Sequence, residues 1–266
     1  MSELDAFLVE LNAVSAEAIL PLFRATAGDQ ALENKGGARG WDPVTAADRG
    51  AEAALRKRIA ARYPDHGVIG EEYGDDRPDA ELVWVIDPID GTRAFVAGLP
   101  VWTTLIGLRH AGRPVLGSIG QPYIGEIFIG HAGGARVIRG DTSAPLRVRP
   151  CASLSSATIA TTDGAIYLDE TEQRAWGELR GSAQNARLGC DAYAYAMVAA
   201  GWIDLVVESN LKAWDIDAAI PVVEGAGGLV TTWRGEPVGA HGGQVAIAGD
   251  RRCLDEALAL LSRAAK

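Results

Sequence analysis

In WVIDPIDGTRAF, residues 84–95, an apolar run ends in two aspartates three positions apart, followed at once by Gly-Thr. Ionised carboxylates are costly to bury unless something pairs with them, so an apolar strand ending in Asp87 and Asp90 needs a partner for both. A metal ion is one such partner. Pro88 bends the chain, and Gly91 lets the backbone approach a ligand closely. Thr92 adds a hydroxyl where TRAFVAG starts a short helix, and free N–H groups there favour an anion, phosphate being the natural candidate. Gly-Thr after Asp is also an ordinary turn.

Outward from this stretch, the chain from Val83 to Gly140 reads as strands: LVWVID, TTLIGLRH, RPVLGSIGQP, GEIFIG and ARVIRG. Short connections between the later ones imply an antiparallel meander. Upstream, Leu4, Phe7, Leu8, Leu11, Val14, Ala18, Ile19, Leu22 and Phe23 recur at three and four residues and predict one long amphipathic helix. After the Gly-rich ENKGGARGWDP, Thr45 and Asp48 open a second helix, AADRGAEAALRKRIAARY, which Pro64 stops. Beyond about Pro150, strands and helices alternate, from ATIATT through CDAYAYAMVAAG, DLVVES and the helix WDIDAAIPVVEGAG to the closing DRRCLDEALALLSRAA. The joint falls in RGDTSAPLRVRPCASLSS. Two packed halves are expected: an α+β half over 1–145 carrying an antiparallel sheet, and an α/β half over 146–266.

The 266 residues suffice for a substantial core. With 25 Lys+Arg against 35 Asp+Glu, the net charge of -10 argues against a nucleic-acid or anionic-membrane partner. It does not exclude an anionic substrate, because bound cations reverse the local field. Cys151, Cys190 and Cys253 lie far apart, without a CxxC or Cys/His cluster, and read as small core residues of a reducing compartment. No basic leader and no apolar run of membrane-spanning length is visible, so a soluble cytoplasmic protein is expected.

Further acids stand where strand ends or helix starts are expected: Glu71 and Glu72 in VIGEEYG, and Asp215 in KAWDID. Hard cations such as Mg²⁺ take oxygen ligands, and carboxylates converging from separate segments are what an octahedral site requires. Adjacent residues on an extended strand face opposite ways, so Glu71 and Glu72 reach one site only if the chain turns after Gly70. Asp48 has two readings, a helix-capping partner of Thr45 or a member of the site.

GEE, DPIDGT and WDIDAAIPVVEGAGG, in that order over most of the chain, resemble the magnesium-dependent, lithium-sensitive phosphatase superfamily typified by inositol monophosphatase. More narrowly, TRAFVAGLPVWTTLIGL, RLGCDAYAYAMVAAGWIDLVVE and EGAGGLVTTWRG resemble its histidinol-phosphatase branch. The resemblance implies a layered α-β-α-β-α sandwich of the inositol monophosphatase/fructose-1,6-bisphosphatase type, a homodimer, and two or three Mg²⁺ ions. By resemblance Glu71, Asp87 and the Ile89 carbonyl hold one ion, Asp87, Asp90 and Asp215 a second, and Glu71 helps hold a third through water. Gly91 and Thr92 N–H groups bind phosphate, while Glu72, Thr92 and Asp48 orient and deprotonate a water that attacks in line. Lys35 and Trp41 belong to a loop resembling the family's metal-proximal segment, but GGARGWDP departs from its usual wording.

Histidinol phosphate carries an ammonium and an imidazole, so its reader needs carboxylates away from the metals. Asp191 and Glu208 are so placed by resemblance, with Arg187 and Asn210 nearby in sequence. Inositol hydroxyls also hydrogen-bond a carboxylate, so an inositol monophosphatase or a broad small-phosphoester phosphatase is the alternative, and a non-catalytic phosphometabolite-binding regulator stands behind both. Asp191 has its own plainer reading as a cap before AYAYAMVAAG.

Overall fold

A computed structural model of the chain describes residues 3–25, 32–36 and 43–266; Trp41 lies outside them. The first helix, α1 (Glu3–Ile19), buries Phe7, Leu8 and Leu11 but stops short of the expected Phe23. Pro21 ends it, since proline removes a helical N–H and its ring clashes with the preceding turn. The two-residue strands β1 (Glu33–Asn34) and β2 (Pro43–Val44) pair antiparallel ahead of α2 (Ala46–Arg62). That helix opens on a reciprocal cap: Thr45 Oγ1 accepts from Ala47 N at 3.2 Å and Asp48 Oδ2 from Thr45 N at 2.8 Å.

An eight-stranded sheet follows, built from β3 (Gly67–Gly70), β4 (Gly74–Asp76), β5 (Leu82–Asp90), β6 (Thr103–His110), β7 (Arg113–Gln121), β8 (Glu126–His131), β9 (Gly134–Arg139) and β10 (Thr142–Pro145), with the short helix α3 (Thr92–Val96) between β5 and β6. Its order is β10-β9-β8-β7-β6-β5-β3-β4. From β5 to β10 each strand pairs antiparallel with the next, the expected meander. The sheet also extends past β5, where β3 runs parallel to it and β4 forms the edge.

The remaining chain gives β11 (Thr158–Thr161), α4 (Gly164–Tyr167), α5 (Glu170–Ser182), β12 (Asn185–Leu188), α6 (Tyr193–Ala199), β13 (Leu205–Leu211), α7 (Ala213–Ile216), α8 (Ala219–Gly225), β14 (Leu229–Thr231), β15 (Gly243–Ala248) and α9 (Arg251–Leu261). The second sheet has the order β12-β11-β13-β15-β14, with β11 parallel to β12 and β13. WDIDAAIPVVEGAG forms two helices, α7 and α8, rather than the single expected one. Pro221 is tolerated because it falls in the first turn of α8, where its missing N–H breaks no helical bond. The helix expected across CDAYAYAMVAAG starts only at Tyr193, because Asp191 takes a left-handed backbone, φ 43°.

Helices α1 and α2 cover one face of the large sheet, α6 and α8 lie between the sheets, and α5 and α9 cover the outer face of the second. This is the five-layer α-β-α-β-α sandwich. The middle layer seats closely on the large sheet: a Cβ at Gly117 would fall 2.2 Å from the Ala218 carbonyl oxygen, and one at Gly130 2.3 Å from that of Pro221. Cys151 and Cys253 are buried and Cys190 is partly exposed. Among the described residues no helix is long and apolar enough to cross a membrane.

Candidate active site

On a regular strand, residues three apart point to opposite faces, yet Asp87 and Asp90 meet. The register explains it: Asp87 faces Leu105 and Asp90 faces Thr103, so three steps along β5 match two along β6. The extra residue is a bulge that brings both carboxylates to one side. Ile89 N donates to Asp87 Oδ1 at 3.0 Å and Thr104 Oγ1 to the Pro88 carbonyl at 2.8 Å, which pins the irregular backbone. Asp215 arrives from α7, where its Oδ2 accepts from Lys212 N at 2.6 Å. One carboxylate oxygen from each of Asp87, Asp90 and Asp215 lies within 4.8 Å of the others. Two residues on, Asp217 is clamped by Arg109 of β6, whose Nε donates to Oδ2 and Nη2 to Oδ1 at 3.0 Å.

The chain does turn after Gly70, as a shared site for Glu71 and Glu72 demands. A residue not singled out from the sequence holds that turn: fully buried Glu52 accepts from Glu72 N at 2.7 Å and Tyr73 N at 3.1 Å, and pairs with Arg56. Lys35 Nζ donates to Glu71 Oε1 at 3.0 Å and to Glu72 Oε1. Asp48 satisfies both of its readings, because Oδ2 caps α2 while Oδ1 accepts from the Thr92 hydroxyl at 3.4 Å.

The cluster is short of positive charge. Burial, then the neighbouring Glu71 charge, pushes Asp87 well above the usual carboxylate range. Burial and Asp191 do the same to Asp90. Burial lifts Glu71 to about 7 against the opposing pull of Lys35, and lifts Asp215 and Asp48 to about 6. Converging oxygen donors that repel one another suit a hard divalent cation. The Lys35 ammonium, bridging two of these acids, stands where positive charge is wanted.

Beside the cluster opens a cavity of about 350 Å³. It is lined by Glu71, Asp87, Ile89, Asp90, Gly91, Thr92, Asp191, Glu208, Asn210 and Asp215. Asp48 and Glu72 stand behind this lining. Gly91 has φ 82° and a Cβ there would meet the Asp191 carboxylate at 2.9 Å, so only glycine lets Asp191 close against the turn that follows β5. Ala192 N donates to Asp90 Oδ2 at 2.7 Å, tying the Asp191 segment to the acid cluster. Buried Glu208 accepts from Thr162 N at 2.8 Å and Thr162 Oγ1 at 2.9 Å, with Thr161 Oγ1 at 3.3 Å. Burial still raises it to about 8, and it raises Asp191 to about 6 against Arg93.

Two residues expected near the substrate stand differently. Arg187 is exposed on the edge strand β12, outside the cavity lining. Asn210 lines the cavity, but its amide donates to the Tyr167 carbonyl at 2.8 Å and to Ser209 Oγ at 3.2 Å. Arg93, Thr162, Tyr167, Tyr195 and Trp214 also line the cavity and were not singled out from the sequence. Their signal was adjacency: Arg93 follows Gly91-Thr92, Trp214 precedes Asp215, and Tyr195 lies one helical turn beyond Asp191.

The sequence model described as "Inositol monophosphatase family" matches residues 1–265. The chain belongs to the inositol monophosphatase family, and with it to the phosphomonoester hydrolases. The chain is 40% identical over 240 residues to the bifunctional phosphatase IMPL2 of Arabidopsis thaliana, covering 88% of this chain and 66% of that protein. It is 36% identical over 193 residues to the histidinol-phosphatase of Chlorobaculum parvum, 73% of each. The structure of an inositol monophosphatase from Zymomonas mobilis superposes with a TM-score of 0.86 at 35% identity, covering 98% of this chain and all of the other. The five-layer fold is thus that of the inositol monophosphatase family.

Proposed function

We propose that this chain hydrolyses L-histidinol phosphate to L-histidinol and phosphate. The observation that carries the reading is Glu208, a buried carboxylate on the cavity wall that no cation of the described chain neutralises, with Asp191 beside it. An ammonium-bearing ligand brings the positive charge that lets this buried carboxyl ionise. A charge-assisted hydrogen bond of this kind is worth on the order of 1.5–3 kcal/mol. The histidinol-phosphatase relative supports the same substrate.

Glu71, Asp87, the Ile89 carbonyl, Asp90 and Asp215 would hold Mg²⁺, two or three ions in all. Bound there, the metal supplies Lewis-acid activation of water and neutralises charge on the phosphoryl oxygens. Gly91 and Thr92 N–H groups bind phosphate at the start of α3. Asp48, held by Thr45 and raised to about 6, accepts from the Thr92 hydroxyl and keeps that side chain aimed. Glu72, with Thr92 and Asp48, orients the attacking water and takes its proton.

A second reading, an inositol monophosphatase or broad small-phosphoester phosphatase, is favoured by the Zymomonas mobilis likeness and by the capacity of Glu208 to accept from hydroxyls. Phosphate release from L-histidinol phosphate and inositol 1-phosphate, each with Mg²⁺ and with chelator, separates the two. Metal-dependent preference for the amine ester is expected; preference for the inositol ester overturns the substrate assignment. We also propose a cytoplasmic homodimer, supported by exposed Leu99, Tyr123 and Ile124, and a division into halves at 145/146, where β10 ends the first sheet.

A further inference from the structure

Tyr195 sits in the middle layer with its ring packed into the core between the two sheets and 2% of its surface exposed. It is also part of the cavity wall. Among the described residues its hydroxyl takes no hydrogen-bond partner, and it is not among the buried atoms sealed off from solvent, so it opens to the cavity. Packing does not require that oxygen. The other buried residues of α6, Ala194, Ala196, Val198 and Ala199, are all apolar, and a phenylalanine fills the same volume. A hydroxyl that faces the cavity without a protein partner is left for whatever occupies that cavity.

The surroundings say which ligand group. The charges that act on the phenol are those of Glu208, Asp90, Asp215 and Asp191, in that order, and with burial they hold it well above its ordinary range. The phenol therefore stays neutral, with lone pairs to offer. It lines the same cavity as the metal-side acids Asp90 and Asp215 and the pair Asp191 and Glu208. An ammonium has three N–H donors and no acceptor. Glu208 already takes three bonds from Thr161 and Thr162, which leaves it about one acceptor direction. Asp191 offers further acceptor directions, and the Tyr195 phenol adds a neutral oxygen on the same cavity wall.

We infer that Tyr195 is a specificity-determining residue whose phenolic oxygen accepts an N–H of a substrate ammonium group. The inference rests on the amine-ester reading above and deepens it by adding a neutral oxygen to the two carboxylates, Asp191 and Glu208, on the same cavity wall.

The test compares L-histidinol phosphate with 3-(imidazol-4-yl)propyl phosphate, the same ester without the amine, in the Mg²⁺-loaded wild type and in Tyr195→Phe. The wild type should prefer the amine ester in kcat/KM, and Tyr195→Phe should reduce that preference about 10-fold, mainly through KM, the effect of one hydrogen bond to a charged group. Calorimetric titration with L-histidinol should show about 10-fold weaker binding by the variant, and an unchanged circular dichroism melt establishes its fold. Tyr195→Leu serves as a second variant with the same expectation. A wild type that does not discriminate sinks both readings. A wild type that discriminates while Tyr195→Phe keeps the full preference overturns this inference alone.

Discussion

Removing metal should make the stability of this protein fall as pH rises from 5 to 8, a trend set by its buried acids. Asp48 gives the scale: it is 2% exposed, and its carboxyl is raised by burial from 3.8 to about 6. Between those two values the native protein keeps a proton that the unfolded chain has lost, so stability declines with increasing pH. Within the range from pH 5 to 8 only the stretch from 5 to about 6 counts, so Asp48 contributes about 1.4 kcal/mol at 1.36 kcal/mol per pH unit. Asp87, Asp90 and Asp215 move in the same direction but share one site, so together they add roughly one further proton's worth rather than three. His66, lowered by burial, opposes the trend with a single group. The sum is on the order of 3–5 kcal/mol, and at about 2 °C per kcal/mol for a chain of this size Tm should drop by about 6–10 °C. Calorimetric melts at pH 5, 6, 7 and 8 in chelator measure it. Saturating Mg²⁺ should flatten the part of the profile that comes from Asp87, Asp90 and Asp215, because the cation takes the place of their protons. A chelated protein whose Tm is level or rises from pH 5 to 8 would refute the reasoning.

Two substitutions probe the same construction. Asp90→Asn should lower turnover by at least about 100-fold, beyond what outer-shell partners of a metal cost, while the chelated protein melts no lower than wild type because one repelling carboxylate is gone; wild-type phosphate release would remove Asp90 from the metal site. Arg109→Met leaves Asp217 buried without its clamp and should cost about 3–5 kcal/mol in urea unfolding, most of it recovered when Asp217→Leu is added; a double variant as unstable as the single one would contradict that account.

The strand ending in Asp87 and Asp90, the meander after it and the Thr45–Asp48 helix start were legible because each depends on neighbours in sequence. The convergence of Asp87 and Asp90 was not, since a bulge depends on how β5 pairs with β6. Glu52 reads as one more polar residue of an amphipathic helix until β3 is placed against it. Asp48 offered a choice between cap and site that dissolves once its two oxygens are seen serving different partners. Arg187 illustrates the opposite error. It is near Asp191 in number, but a parallel edge strand carries it away from the cavity. Tyr195 was hidden in an alanine-rich helix whose periodicity speaks of core, and only its missing partner marks it out.

The close seating of α8 on the large sheet reaches further than packing. Asp87 and Asp90 belong to that sheet, whereas Asp215 rides on the helix pair resting over Gly117 and Gly130, so the gap between the carboxylates is gauged by side chains that are not there. A single methyl group at either glycine has backbone carbonyl oxygens within 2.3 Å and must lift the helix to fit. Such a variant would look, in an assay, like a lesion of metal affinity at a position that touches no ligand. Reshaping this enzyme toward another phosphoester therefore has a protected side and a free one: the glycine seam acts as a spacer to be left alone, and the wall carrying Asp191, Tyr195 and Glu208 is where change can be absorbed.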